Sequence, residues 1–137
     1  MRVGRDRWGA VLAGVVLGHF AIALAHGAAH QAAQVSLSLA GNLFVFLVII
    51  AGPLIGLVWL RRTHAAAGAW LIAATMAGAL VFGLVNHFLI LSPDHVDRVP
   101  EPWHIWFGAT AVLLLITEAV GVGVGTWCAT GLARRSS

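Results

Sequence analysis

The sequence predicts an all-α integral membrane protein: a bundle of four transmembrane helices running up-down-up-down, with both termini in the cytoplasm. Three observations predict it. The 137 residues are 60% hydrophobic and only 9% charged, with a mean hydropathy of +0.92. Soluble chains carry about 25% charged residues, and a water-soluble fold of this size has too little interior to hide so much apolar surface, so its solvent is largely lipid. Next, polar breaks divide the chain into four apolar runs, each long enough to cross a bilayer at about 20 residues per span. Last, the arginines stand at the ends of those runs. There is no lysine, and Arg2, Arg5, Arg7, Arg61, Arg62, Arg134 and Arg135 all fall on one side of a four-span arrangement, leaving Arg98 alone on the other. Arginine-rich loops stay in the cytoplasm, which puts both termini there. The pI near 11.2 therefore reads as a topology signal and not as a nucleic-acid surface.

Taken in order, the first span is expected at residues 8–31, rich in small residues and without arginine or carboxylate. The run HQAAQVS then serves as a short neutral connection. The second span, 37–60, stops at Arg61-Arg62, and Pro53 between Gly52 and Gly56 is expected to kink it, because proline removes a backbone donor and clashes with the preceding turn. A third span covers 65–91. An outer polar loop, 92–102, follows, with turn and helix-start punctuation at Ser92-Pro93-Asp94 and Val99-Pro100-Glu101-Pro102. The fourth span, 103–132, ends at Arg134-Arg135. Together, residues 1–137 read as a single transmembrane domain in a bacterial inner membrane or plasma membrane. Glycines four apart at Gly14/Gly18, Gly52/Gly56 and Gly121/Gly125 let helix backbones approach closely in lipid. Trp103, Trp106 and Phe107 are expected to form an aromatic belt at the outer interface, with Trp59, Trp70 and Trp127 near the inner one.

A second arrangement keeps the same orientation. Arginines in residues 1–7, an apolar core and Ala23-Leu24-Ala25 resemble a signal peptide with an A-x-A cleavage site. Cleavage would leave three spans and expose His26 as the mature N-terminus, whose amine and imidazole can chelate one copper as a histidine brace.

Chemistry concentrates in the histidines. His19, His26 and His30 lie within an arc of about 40° on one helix, and His19 sits about 16 Å deeper than His30. His87 closes the third span beside Asn86, His95 is in the outer loop, and His104 opens the fourth span. These six histidines, with Asp94, Asp97 and Glu101 as supporting carboxylates, have the inventory of a transition-metal site, since neutral imidazole binds zinc, copper, nickel and iron and a carboxylate completes the shell or orients the ring. His26 or His19 facing His87 can also clamp one b-type haem between helices. The plan is similar to that of small membrane cytochromes b; a two-haem type would need a second pair near the cytoplasmic side, where only His64 is available.

Intramembrane polar groups are costly and call for partners. Glu118, in the middle of the fourth span, is expected to be neutral or bonded to Asn42, His19 or a threonine hydroxyl, and His104, His19 and Glu118 can form a polar track for protons or cations. No Ser/His/Asp triad and no phosphate-cradling glycine loop is present, so no catalytic residue is assigned. One cysteine, Cys128, excludes an internal disulfide. The expected function is thus binding of a transition metal or haem b at an outer polar cap, for electron transfer or metal handling. The alternatives are an accessory subunit whose loop docks a larger membrane complex, or a small transporter using Glu118, which at this size would have to form a homo-oligomer. The lipid bilayer is the one partner common to all readings.

Overall fold

The computed structural model describes residues 2–62 and 64–134, with side chains from residue 7 onward. The side chains of Arg2 and Arg5, and the whole of Arg135, lie outside the described residues. Four long helices dominate: α1 Arg2–Ala32, α2 Leu39–Arg61, α3 Ala65–Leu89 and α4 His104–Ala133. Each is long and apolar enough to cross a membrane, and no strand occurs among the described residues.

Apart from the start of α1, which comes six residues earlier than expected, the helix ends fall within two residues of the expected ones, for local reasons. Ser38 starts α2 by accepting a hydrogen bond from the Gly41 amide at 3.1 Å, as N-capping hydroxyls do. α3 stops at Leu89, two residues short of the expectation, because Ile90 turns to extended backbone. The loop then makes a single 3-10 turn at Val96–Arg98 before α4 begins.

Pro53 acts through the turns before it. Residues Val45–Ala51 widen to π-helix, and the Gly52 amide bonds Leu47 five residues back. A wider turn gives the proline ring room where an α-turn would clash. A second π turn, Val85–Leu89, ends α3, with the Ile90 amide on the Val85 carbonyl at 2.9 Å. This turn carries His87 and sets the direction of its side chain.

Backbone proximity decides how the helices pack. α4 lies chiefly against α3, α3 against α2, and α1 against α4, while α1 and α2 are the loosest of the four adjacent pairs. The tightest approach is between α2 and α3: a Cβ on Gly68 would collide with the Leu60 amide and sit 2.6 Å from the Gly56 carbonyl. Gly52 faces Thr75, Gly121 faces Met76, and Gly125 faces Ala73. Two of the three glycine pairs are therefore interhelical contacts. Gly14 and Gly18 have no atom within 4 Å of a would-be Cβ, so this pair faces outward.

Two ends of the bundle are distinct. At one end Trp8 of α1 stacks on Trp127 of α4, ring centres 4.6 Å apart. Above it comes an apolar cluster of Leu12, Val16, Leu60, Ala69, Ile72, Met76 and Ala129. At the other end the tail of α1, the tail of α3 and the start of α4 meet around histidines. The outer surface is largely apolar, with Leu17, Leu24, Phe46, Leu47, Val81 and Ile105 exposed, as expected of residues facing lipid.

Candidate metal centre

Three imidazoles meet at the histidine end. One ring nitrogen each from His26, His30 and His87 lies within 4.8 Å of the others. The four-residue spacing of His26 and His30 puts both on one face of α1, and the π turn brings His87 across from α3. The closest pair is His26 Nε2 and His87 Nε2, at 3.3 Å. Phe107, fully buried, seals the group: its ring centre is 4.7 Å from His26, 4.8 Å from His30 and 5.4 Å from His87. Phe107 does not belong to an interfacial belt. It lies on the inward face of α4, whereas Trp103 and Trp106 before it are exposed.

The nitrogens that face away from the group have oxygen partners. His87 Nδ1 lies 3.0 Å from the Asp94 carbonyl, and His30 Nδ1 lies 3.2 Å from the Val35 carbonyl. A carbonyl only accepts, so both Nδ1 atoms carry the proton and both Nε2 atoms present a lone pair. His26 Nδ1 lies 2.8 Å from the Thr110 hydroxyl, which also reaches the Trp106 and Phe107 carbonyls at 2.9 and 3.0 Å. Two proton assignments are consistent with this. With the hydroxyl donating to its own helix, His26 Nδ1–H donates to Thr110, and three Nε2 lone pairs converge, as ligation requires. With the hydroxyl donating to His26 Nδ1, His26 Nε2–H donates to His87, and the pair closes on itself without a metal. A cation selects the first assignment.

Asp94 borders the group. Its carboxylate, 5% exposed, approaches His30 Nε2 to 3.2 Å and His87 Nδ1 to 3.4 Å, yet neither oxygen receives a hydrogen bond of good geometry. Burial pushes its pKa up to about 6, with the neighbouring His30 opposing the rise. A carboxylate beside a lone-pair nitrogen is repulsive unless a proton or a metal ion lies between them.

The other expected site residues fall elsewhere. His19 Nε2 lies 3.3 Å from Glu118 Oε1, both about 1% exposed, so Glu118 takes one of its three expected partners. Asn42 instead bonds the Leu37 carbonyl near the start of α2, and Asn86 bonds the Phe82 carbonyl in α3. His95 is buried, but its Nδ1 accepts from the Asp97 amide and caps the loop turn. The Asp97 side chain is 76% exposed, and Glu101 is also exposed. His104 is half-buried and outside the three-histidine group.

A cavity of about 410 Å³ opens between α1 and α2, the most loosely packed pair of adjacent helices. His26, His30, His87 and Asp94 line it, Gln31, Gln34, Ser36 and Asn42 add polar wall, and Glu118 is reached deeper in. Ile49, Ile50, Ala79, Phe82 and Leu114 supply the apolar wall.

Haem does not fit between His26 and His87. A bis-histidine haem needs its macrocycle to pass between the two rings, and Phe107 and His30 pack against both imidazoles there. A histidine brace at residue 26 would require cleavage after Ala25; in the uncleaved chain α1 continues through Ala23–Ala25 and His26 Nδ1 faces Thr110. Sequence reasoning missed Phe107 and Thr110 as site residues; spacing offered a signal for both, since Phe107, Thr110, Leu114 and Glu118 share one face of a helix. No known protein family, curated protein or solved structure matches this chain.

Proposed function

We propose that the protein is a small multi-pass membrane protein that binds one transition-metal ion through His26, His30 and His87, with Asp94 as a carboxylate partner, and handles that metal at the outer face of the membrane. One observation carries this reading: three imidazoles converge within 4.8 Å while each one's remote nitrogen is held by an oxygen. Oriented second partners of this kind fix the tautomer and the ring plane of a metal-ligating histidine. Nitrogen ligands with one carboxylate suit borderline ions such as zinc, copper, nickel and iron(II). Electron transfer requires that the ion be redox-active, which its identity decides.

The setting we propose for this site is an up-down-up-down bundle forming one transmembrane domain in a bacterial inner membrane or plasma membrane. The arginine distribution supports cytoplasmic termini, with the histidine end outside. Elemental analysis of the purified protein, with chelator competition, is the test. Near one ion per chain is expected, dropping below one tenth in His87→Ala. A metal-free protein that takes up no zinc, copper, nickel or iron sinks the reading.

A second reading, an accessory subunit, draws on the exposed carboxylates of Asp97 and Glu101 in the outer loop. It requires co-purification with a larger complex, lost on charge reversal at Asp97 and Glu101. Self-association through the outward Gly14/Gly18 face is compatible with either reading.

A further inference from the structure

We infer that Glu118, which lines the cavity, and its buried partner His19 form a second cation-binding position, loaded from the histidine site above it. The inference rests on the metal reading only for the choice of ion. Its basis is Glu118 Oε2, which has no hydrogen-bond partner although the residue is 1% exposed and borders the cavity. Oε1 is engaged with His19 Nε2 at 3.3 Å, a separation two ligands of one ion commonly have. A buried polar oxygen without a partner is costly in any protein and more so where lipid replaces water. A cation beside Glu118 satisfies Oε2, takes His19 Nε2 as its second protein ligand, and completes its shell with water.

Geometry also supplies the route. A Cβ on Gly83 would stand 3.8 Å from His87 Cδ2 and 3.9 Å from Glu118 Oε2, with Leu115 Cδ2 bounding the space at 3.3 Å. The absent side chain leaves a gap between the outer histidines and Glu118. Below Glu118, Met76 packs on Gly121, and Val16, Ile72 and Ala129 continue a dry apolar cluster toward the tryptophan end. Among the described residues, this apolar cluster lies between the cavity and the tryptophan end.

Cobalt(II) is the probe, titrated into the detergent-solubilised full chain and followed by its d–d absorption and by elemental analysis after desalting. The wild type is expected to take up two ions in two steps. Glu118→Gln and His19→Gln should each abolish the weaker step and move the tighter one less than threefold, which also shows that the variants are folded. The double variant His26→Ala/His87→Ala should lose the tighter step and keep the weaker. In Gly83→Ala the added methyl stands in the gap, so loading of the weaker step should slow at least tenfold. A weaker step that survives Glu118→Gln, or a wild type that binds a single ion, overturns the inner position; Gly83→Ala loading at the wild-type rate overturns the route. A tighter step that survives the double variant counts against the outer site instead, so the two failures are told apart.

Discussion

Replacing Thr110 by valine removes one hydroxyl and nearly nothing else. Thr110 is 5% exposed, and its oxygen is the partner of His26 Nδ1 at 2.8 Å. Valine keeps the shape but leaves the His26 N–H without an acceptor in a buried site, at a cost of about 1–3 kcal/mol. The imidazole is then free to turn or to move its proton to Nε2, and either change removes a lone pair from the convergent set. Loss of such an orienting partner weakens metal binding by about 10–100-fold, equivalent to about 1.4–2.7 kcal/mol. The helix should survive, because the hydroxyl's other contacts are to carbonyls already inside the α4 ladder. The assay is competition of the purified variant against a chromogenic zinc chelator, with thermal unfolding of the metal-free form in parallel. Thr110→Ser, which retains the oxygen, should recover most of the affinity. If Thr110→Val binds zinc within threefold of both Thr110→Ser and the wild type, Thr110 does not position His26 and the assigned tautomer is wrong.

Asp94 provides a pH-dependent counterpart in the chelator-stripped protein. Its folded pKa of about 6 stands above the ordinary 3.8, so the folded state holds the proton more tightly and stability falls as pH rises from about 4 through 6. Ionised Asp94 therefore costs about 1–3 kcal/mol at neutral pH. Asp94→Asn should raise the melting temperature of the metal-free protein at pH 7.5 and leave it unchanged near pH 4; equal shifts at both pH values would show that the carboxylate's charge is not the cause. The glycines divide into two groups. Gly68→Ala forces a Cβ into the Leu60 amide and should lower the folded yield severely, by 2 kcal/mol or more on the scale of overpacked cores. Gly14→Ala and Gly18→Ala, with open space around them, should leave monomer stability within about 0.5 kcal/mol. Comparable losses in all three variants, read by thermal unfolding in detergent, would refute the packing argument.

Composition and pattern alone determined the four helices, since apolar runs of this length between arginines have no other low-energy form in lipid. They also determined that His26 and His30 share a face, because four residues make about one helical turn. The stripe of His19 beneath them was equally legible, and so was Glu118 as a group in need of a partner. Local pattern could not decide which loop residue folds back. Asp94 enters the site and Asp97 does not, three residues apart in a loop whose path is set by a turn at Ser92 and by burial of Val99 against Ala33 and Phe107. The same limit explains His87, His95 and His104, which are equivalent by composition. Only the π turn at the end of α3 aims His87 inward, while His95 caps a turn and His104 stays at the rim. The tertiary structure alone decided that α1 and α2 part company, because the Gly56–Gly68 contact draws α2 onto α3 and leaves the cavity on its other side. Chain periodicity shows which face of a helix is apolar or polar; it does not show which neighbour that face meets, and the candidate metal ligands here come from three elements that only packing brings together.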